Sequence, residues 1–344
     1  SGVGSTQALS LEVRDGAGNV VASPSVTWTS LNPAVATVSD AGVVRAVGAG
    51  QATVVATSGS QSAPTLVTVS VPEATPVNLW ASMTSGSYVD LNGVWGRSAT
   101  DVIAVGNSGT ILHYDGTRWT AMTSGTGNSL YRVWGTSATD VFAVGDGGSI
   151  VHYDGTSWTV MASGTSTSLH GVWGSSPTNV FAVGSSGTIV RYDGARWGAM
   201  TSGTTQRMRG VWGTSATNVF AVGDNGTLLQ YDGTAWNAMT SPTTSPFYGV
   251  WGTSSTDAYA AAQWGGVLHY DGSSWSVTTG GPSQSTYTGW GSSPSEVWVV
   301  GDGTTIWRRD VSGWSATPSG AAATLQGVWA TSSAGVFAVG ISGA

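Results

Sequence analysis

The sequence predicts an all-β protein in two parts, a small β-sandwich followed by a seven-bladed β-propeller of four-stranded antiparallel blades. Three observations predict it. Seven tryptophans, Trp95, Trp134, Trp173, Trp212, Trp251, Trp290 and Trp329, stand 39 residues apart. A second series, Trp80, Trp119, Trp158, Trp197, Trp236, Trp275 and Trp314, keeps the same interval, each 15 residues before its partner in the first. Residues 1–72 lack this repeat and carry short alternating apolar runs instead. A unit of about 40 residues built from short strands is a propeller blade.

Composition agrees with strands and tight turns. Only 8% of the 344 residues are charged, against a usual share of about 25%. The chain has 51 Gly, no Lys among its 11 basic residues, and only Glu12, Glu73 and Glu296 as glutamates, which argues against helices. Net charge is −7 and the nearest approach to a basic cluster is Arg308-Arg309, so nucleic acid and anionic membrane surfaces are excluded as partners. No apolar run reaches the length of a membrane-spanning helix. With no Cys there is neither disulfide nor thiol chemistry. No cofactor is expected. The opening Ser1-Gly2-Val3 reads as a mature or excised segment, and the low charge with abundant Ser, Thr and Gly points to a secreted or surface protein.

In the first part, alternating segments at 8–13, 26–29, 36–38, 43–46, 52–56 and 66–71 are separated by Asp15-Gly16, Asn32-Pro33, Asp40-Ala-Gly42 and Gly48-Ala-Gly50. Six short strands at this spacing make a small sandwich. Val26-Thr-Trp-Thr-Ser-Leu-Asn-Pro-Ala-Val-Ala-Thr-Val38, then Gly42-Val-Val-Arg-Ala-Val-Gly-Ala-Gly50 and Ala52-Thr-Val-Val-Ala56, resemble a bacterial Ig-like domain of group 2. The resemblance covers about 65 residues. It implies a spacer or adhesive module of a bacterial surface protein, and hence an extracellular bacterial origin. Residues 73–78, with Pro72 just before and Pro76 within, read as an extended semi-rigid linker, and 79–344 as the propeller.

The second repeat shows how a blade is written. Leu130-Tyr-Arg-Val-Trp-Gly135 is inner strand A, and Val141-Phe-Ala-Val-Gly145 is strand B. Ser149-Ile-Val-His-Tyr153 is strand C and Ser157-Trp-Thr-Val-Met161 the outer strand D. Asp146-Gly-Gly148 and Asp154-Gly155 are hairpin turns. Gly-Val-Trp-Gly recurs in strand A because space is scarce where blades converge. The tryptophans are expected to form the core between blades rather than a stacking surface, each burying about 150–250 Å². Leu79-Trp-Ala-Ser-Met83 reads as a strand D with no blade before it, so it should complete the last blade, which carries Trp329 and Val336–Gly340. That closure resembles the strand exchange of WD-repeat propellers. The sequence reaches Ile341–Ala344 where strand C should begin, so the last blade is incomplete. The simplest expectation is a segment of a longer protein, and self-association or a partner's strand at the open edge is the alternative. The repeats resemble bacterial propellers of the WD, BNR and photosystem-assembly-factor types. Tyr-Asp-Gly-Xaa-Xaa-Trp resembles the sialidase Asp-box turn, whose flanking Ser and Thr it does not match consistently, and implies the fold and no catalytic residue.

Comparing the copies locates a candidate site. The A–B and C–D turns hardly change, whereas the D–A loops on the opposite face change freely. The position three before the strand-A Trp reads Asn92, Tyr131, His170, Arg209, Tyr248, Tyr287 and Gln326. Aromatic and hydrogen-bonding types at one radius suit a glycan or protein ligand; relaxed packing at loop ends is the alternative. Trp264, in an unusual B–C turn, is a further candidate contact. His113, His152 and His269 read as outward polar positions, too far apart to share a metal. Asp146, Asp224 and Asp302 are single carboxylates in B–C turns, weak ligands for Ca²⁺. The 11 arginines look scattered, not convergent as a sialidase would need. The expectation is therefore a non-catalytic recognition or adhesion protein. A structural subunit of a surface layer or fibre is the alternative, and a propeller hydrolase the third reading.

Overall fold

The computed structural model describes residues 5–48, 50–69, 80–263, 266–321, 323–331 and 335–344. The chain divides into two compact units, Ser1–Val77 and Asn78–Ala344. The linker expected at 73–78 lies outside the described residues.

The first unit is a six-stranded sandwich with strands β1 (Thr6–Ala8), β2 (Thr27–Ser30), β3 (Ala36–Val38), β4 (Val43–Ala46), β5 (Gly50–Ser58) and β6 (Gln61–Val69). They form two sheets, β1-β4-β3 and β2-β5-β6. Alternation places Val44, Ala46, Ala52 and Val54 inward beside Val35, Ala36 and Val69. The first strand differs from expectation. It is Thr6–Ala8, paired with β4, while residues 9–13 leave the ladder. Of the apolar residues there, Leu9 lies against the sandwich core, whereas Leu11 is exposed.

Among the described residues, the second unit contains six four-stranded sheets and a two-stranded seventh. In the second blade the strands are Leu130–Ser137, Asp140–Gly145, Ile150–Tyr153 and Trp158–Met161, antiparallel in sequence order. The Tyr-Asp-Gly turn between the outer strands explains its own repetition. The Asp154 carboxylate accepts the backbone N–H groups of Thr156 (2.8 Å) and Ser157 (2.9 Å), Gly155 takes φ +93°, and the Tyr153 hydroxyl donates to the Gly155 carbonyl.

Adjacent blades share each core. Strand-B residues Phe142, Phe181 and Phe220 meet the strand-D indoles of the following blades, Trp197, Trp236 and Trp275, edge-on at 6.0 Å. The strand-A tryptophans use a different contact. A Cβ on Gly135, Gly174, Gly213 or Gly252 would strike the ring of Trp95, Trp134, Trp173 or Trp212 of the preceding blade at 2.6–2.9 Å. These indoles therefore join blades as expected, yet most are only partly buried, because they also wall the central channel.

The seventh blade closes the ring onto the first. The Trp329 ring occupies the space beside Gly96, Phe337 meets Trp119 edge-on at 6.5 Å, and the Ser342 N–H donates to Asp90 at 3.0 Å. Trp80 takes the strand-D position of this last blade. It stands edge-on to Trp298 at 5.8 Å and packs in the cluster with Leu325 and Val328. Residues 80–83 are not a strand, contrary to expectation. Last-blade pairing stops at the Leu325–Ala330 and Val336–Gly340 ladder, and an apolar groove of about 580 Å³ separates Val336–Val339 from Trp80–Met83. The side chain keeps its place without the ladder.

Candidate functional site

The strand-A residues three before each tryptophan sit where the A–B ladder slips. The register skips one residue between Leu91 and Gly93, Leu130 and Arg132, Leu169 and Gly171, Met208 and Gly210, Phe247 and Gly249, Thr286 and Thr288, and Leu325 and Gly327. Each ring residue is thus the extra residue of a bulge, a device that re-aims a side chain out of the pleat. Six of the seven, Tyr131, His170, Arg209, Tyr248, Tyr287 and Gln326, line one cup of about 420 Å³. Asn92 does not. It is 5% exposed, with its amide committed to the Leu130 carbonyl (2.9 Å) and Asn107 (3.0 Å). Trp264 lies outside the described residues.

Four of the ring residues that line the cup bond to the B–C turn 15 residues later in their own blade. The Tyr131 hydroxyl donates to Asp146 at 2.7 Å, His170 Nε2 lies 3.0 Å from Ser185 Oγ, Arg209 Nε donates to Asp224 at 2.6 Å, and the Tyr287 hydroxyl donates to Asp302. The turn carboxylates thus orient ring side chains, and among the described residues no group of acidic and histidine side chains is placed to hold a metal. Neighbouring blades touch around the rim. Tyr131 and His170 lie 5.2 Å apart, Tyr248 and Tyr287 5.3 Å apart edge-on, and the Arg209 guanidinium lies 4.6 Å above the Tyr248 ring.

Two arginines that sequence reading passed over complete the cup, Arg132 and Arg207. Together with Arg209 they overturn the expectation of scattered arginines. They converge because the ring brings the start of every strand A toward one axis, whatever the distance along the chain. The Arg132 Nη1 donates to the Asn92 (2.6 Å) and Tyr131 (2.8 Å) carbonyls. Burial lowers its pKa to about 10, so it stays charged at neutral pH. Arg207 lies 3.6 Å from Asp224, the carboxylate that also receives Arg209. Burial first, and then the charges of Arg207, Arg209 and Arg132, lower the His170 pKa to about 4, against the weaker pull of Asp146. The Tyr131 pKa is raised to about 12 by burial and by Asp146. Both rings are neutral donors or acceptors at pH 7.

The histidines of strand C serve the opposite side of the blades. His113, His152 and His269 each lie 2.7–2.8 Å from the strand-B carboxylates Asp101, Asp140 and Asp257.

The fold and cup define a two-part protein, an Ig-like domain and a β-propeller with a polar, aromatic cup at one mouth of its channel. Residues 3–69 match the bacterial Ig-like domain (group 2). Among solved structures, the chain is similar to YCF48 bound to D1 peptide, with 16% identity, TM-score 0.65, and 79% of this chain and 94% of that one covered. It is similar to YCF48 from Cyanidioschyzon merolae at 16% identity and TM-score 0.62, covering 77% and 96%. It is also similar to the WD40 propeller domain of Doa1 at 12% identity and TM-score 0.65, covering 76% and 93%. These likenesses establish the propeller fold alone. No curated protein matches the sequence.

Proposed function

We propose that the chain is a non-catalytic recognition protein of the bacterial cell surface, whose propeller binds a glycan or protein ligand in the cup on its D–A face. One observation carries the reading. Bulges in seven separate strands turn the variable positions of the repeat inward, and six of them meet around one cavity of about 420 Å³. The scaffold positions between them stay constant from copy to copy. A cavity of that size with a few converging polar groups is the usual form of a small-ligand site. The Ig-like domain supports a surface location, and among the described residues no helix is long and apolar enough to cross a membrane. A propeller of the same fold has been solved with a bound peptide, which is compatible with a protein ligand.

The test is a glycan and peptide array probed with the full chain and with Tyr131→Ala, Arg209→Ala and Tyr248→Ala. The expected outcome is a ligand whose signal falls at least tenfold in each variant. Equal binding by all four proteins removes the cup as the site.

A further inference from the structure

The position after the ring residue reads Gly93, Arg132, Gly171, Gly210, Gly249, Thr288 and Gly327. Glycine belongs there because neighbouring A strands nearly touch. A Cβ on Gly93 would lie 2.9 Å from the Tyr131 carbonyl oxygen, and one on Gly210 would lie 3.0 Å from the Gly249 Cα. Only the second copy departs to a long cation, and it does so at the neck between cup and channel, which Arg132 lines on both sides. Among the described residues no carboxylate pairs with Arg132, whose guanidinium donates to two backbone carbonyls. Holding a partly buried guanidinium without a carboxylate is costly, and the repeat shows that the fold does not need one there. Arg207 is a second departure, standing where other copies have Asp90, Ser129, Ser168, Pro246, Ser285 and Thr324.

The charges are lopsided. Arg132, Arg207 and Arg209 gather on one side of the cup with Tyr131 and His170, and a single carboxylate, Asp224, answers two of the three. Asp146 and Asp302 are engaged by ring and loop hydroxyls and do not line the cup. The rest of the wall, Tyr248, Tyr287, Thr324 and Gln326, is neutral. In a chain of net charge −7, a local cationic cluster marks a specific anion rather than a general attraction.

We infer that the cup is built for an acidic saccharide, a sugar whose terminal unit carries a carboxylate, as a hexuronate does. Arg132, Arg207 and Arg209 receive the carboxylate, and Tyr248, Tyr287 and Gln326 contact the ring and hydroxyls. This rests on the proposed binding role of the cup and specifies its ligand. A saccharide is favoured over an acidic peptide because Tyr248, Tyr287 and Gln326, which line the cup beside the arginines, offer the aromatic faces and hydrogen-bonding groups that suit a sugar's ring and hydroxyls.

Titration calorimetry of the full chain tests it, with oligogalacturonate and glucuronate-terminated oligosaccharides, their methyl esters, neutral oligosaccharides and a Glu-rich peptide as probes. Arg132→Gly and Arg207→Ser are the variants, since other copies carry those residues and the fold accommodates them. An acidic saccharide is expected to bind, and to lose about tenfold or more on esterification and again in Arg132→Gly, as charge-assisted pairs do. If acid and ester bind equally, or only neutral sugars bind, the carboxylate inference is overturned while the cup remains a binding site. Binding of the peptide alone overturns the saccharide. If no probe binds, both the inference and the reading beneath it fall.

Discussion

At the scale of single residues, the cup is a set of side chains kept in unfavourable company, and His170 feels it most. Its pKa falls from 6.5 to about 4 through burial and three nearby guanidiniums, only partly offset by Asp146. The unfolded chain therefore binds a proton that the folded chain refuses between pH 6.5 and 4. Stability contributed by neutral His170 is complete above pH 6.5 and is lost as pH falls through that window, by roughly 3 kcal/mol at most. Urea denaturation at pH 7, 5.5 and 4 should show the loss in the parent chain and a flatter profile in His170→Gln. Parallel profiles would mean the imidazole is not held neutral. The sequence announced the ring residues, because they vary where the scaffold does not. It also contained the signal for Arg132, a cation at a glycine position, which a search for aromatic and hydrogen-bonding types passes over. What it could not show was that Arg132 and Arg207, 75 positions apart, face one cavity, nor that Asn92 turns its amide into the ladder.

At the scale of the blade, periodicity made the four strands and their turns readable almost to the residue, since apolar alternation and Asp-Gly hairpins are local signals. The bulge was hidden because the extra residue changes register and not composition. The role of the paired glycines was half visible. Close approach was evident, but the object approaching is the indole of the preceding blade. Gly174 tests this contact. A methyl there would sit 2.6 Å from the Trp134 ring and 2.8 Å from the Asn179 carbonyl, so ring and backbone must both give way. Overpacking of this kind costs about 1–3 kcal/mol. Gly174→Ala should lower the denaturation midpoint accordingly, whereas Gly203→Ala probes only the backbone, since no atom lies within 4 Å of its Cβ position although its φ is +75°. A Gly174→Ala chain that keeps the parent midpoint would show that the Trp134 ring and the Asn179 carbonyl yield to a methyl without cost.

At the scale of the molecule, the ring must hold its first and last blades together, and here the sequence located the right residue and the wrong structure. The 39-residue series placed Trp80 in the seventh blade, where it meets Trp298 as Trp197 meets Phe142. Residues 80–83 form no strand because a ladder needs a neighbour, and among the described residues the sheet they approach pairs Leu325–Ala330 with Val336–Gly340 alone. An indole needs only a pocket. Closure therefore depends on Trp329 beside Gly96, on Phe337 against Trp119, on the Ser342–Asp90 hydrogen bond, and on Trp80 at the rim. A stack of repeats that each touch only two neighbours gains from closure, since every blade then has both faces covered. Removing Trp80 uncovers the sixth and seventh blades at once. Large-to-small changes of buried aromatics cost about 3–5 kcal/mol, and partial exposure puts Trp80 near the lower bound. Trp80→Ala should destabilise the propeller by about 2–3 kcal/mol and separate the unfolding of the last blades from the rest, seen as non-coincident transitions by fluorescence and circular dichroism. Trp197→Ala, inside the continuous part of the ring, should cost as much or more. A Trp80→Ala chain that unfolds at the parent midpoint in one transition would show that the other contacts close the ring without Trp80.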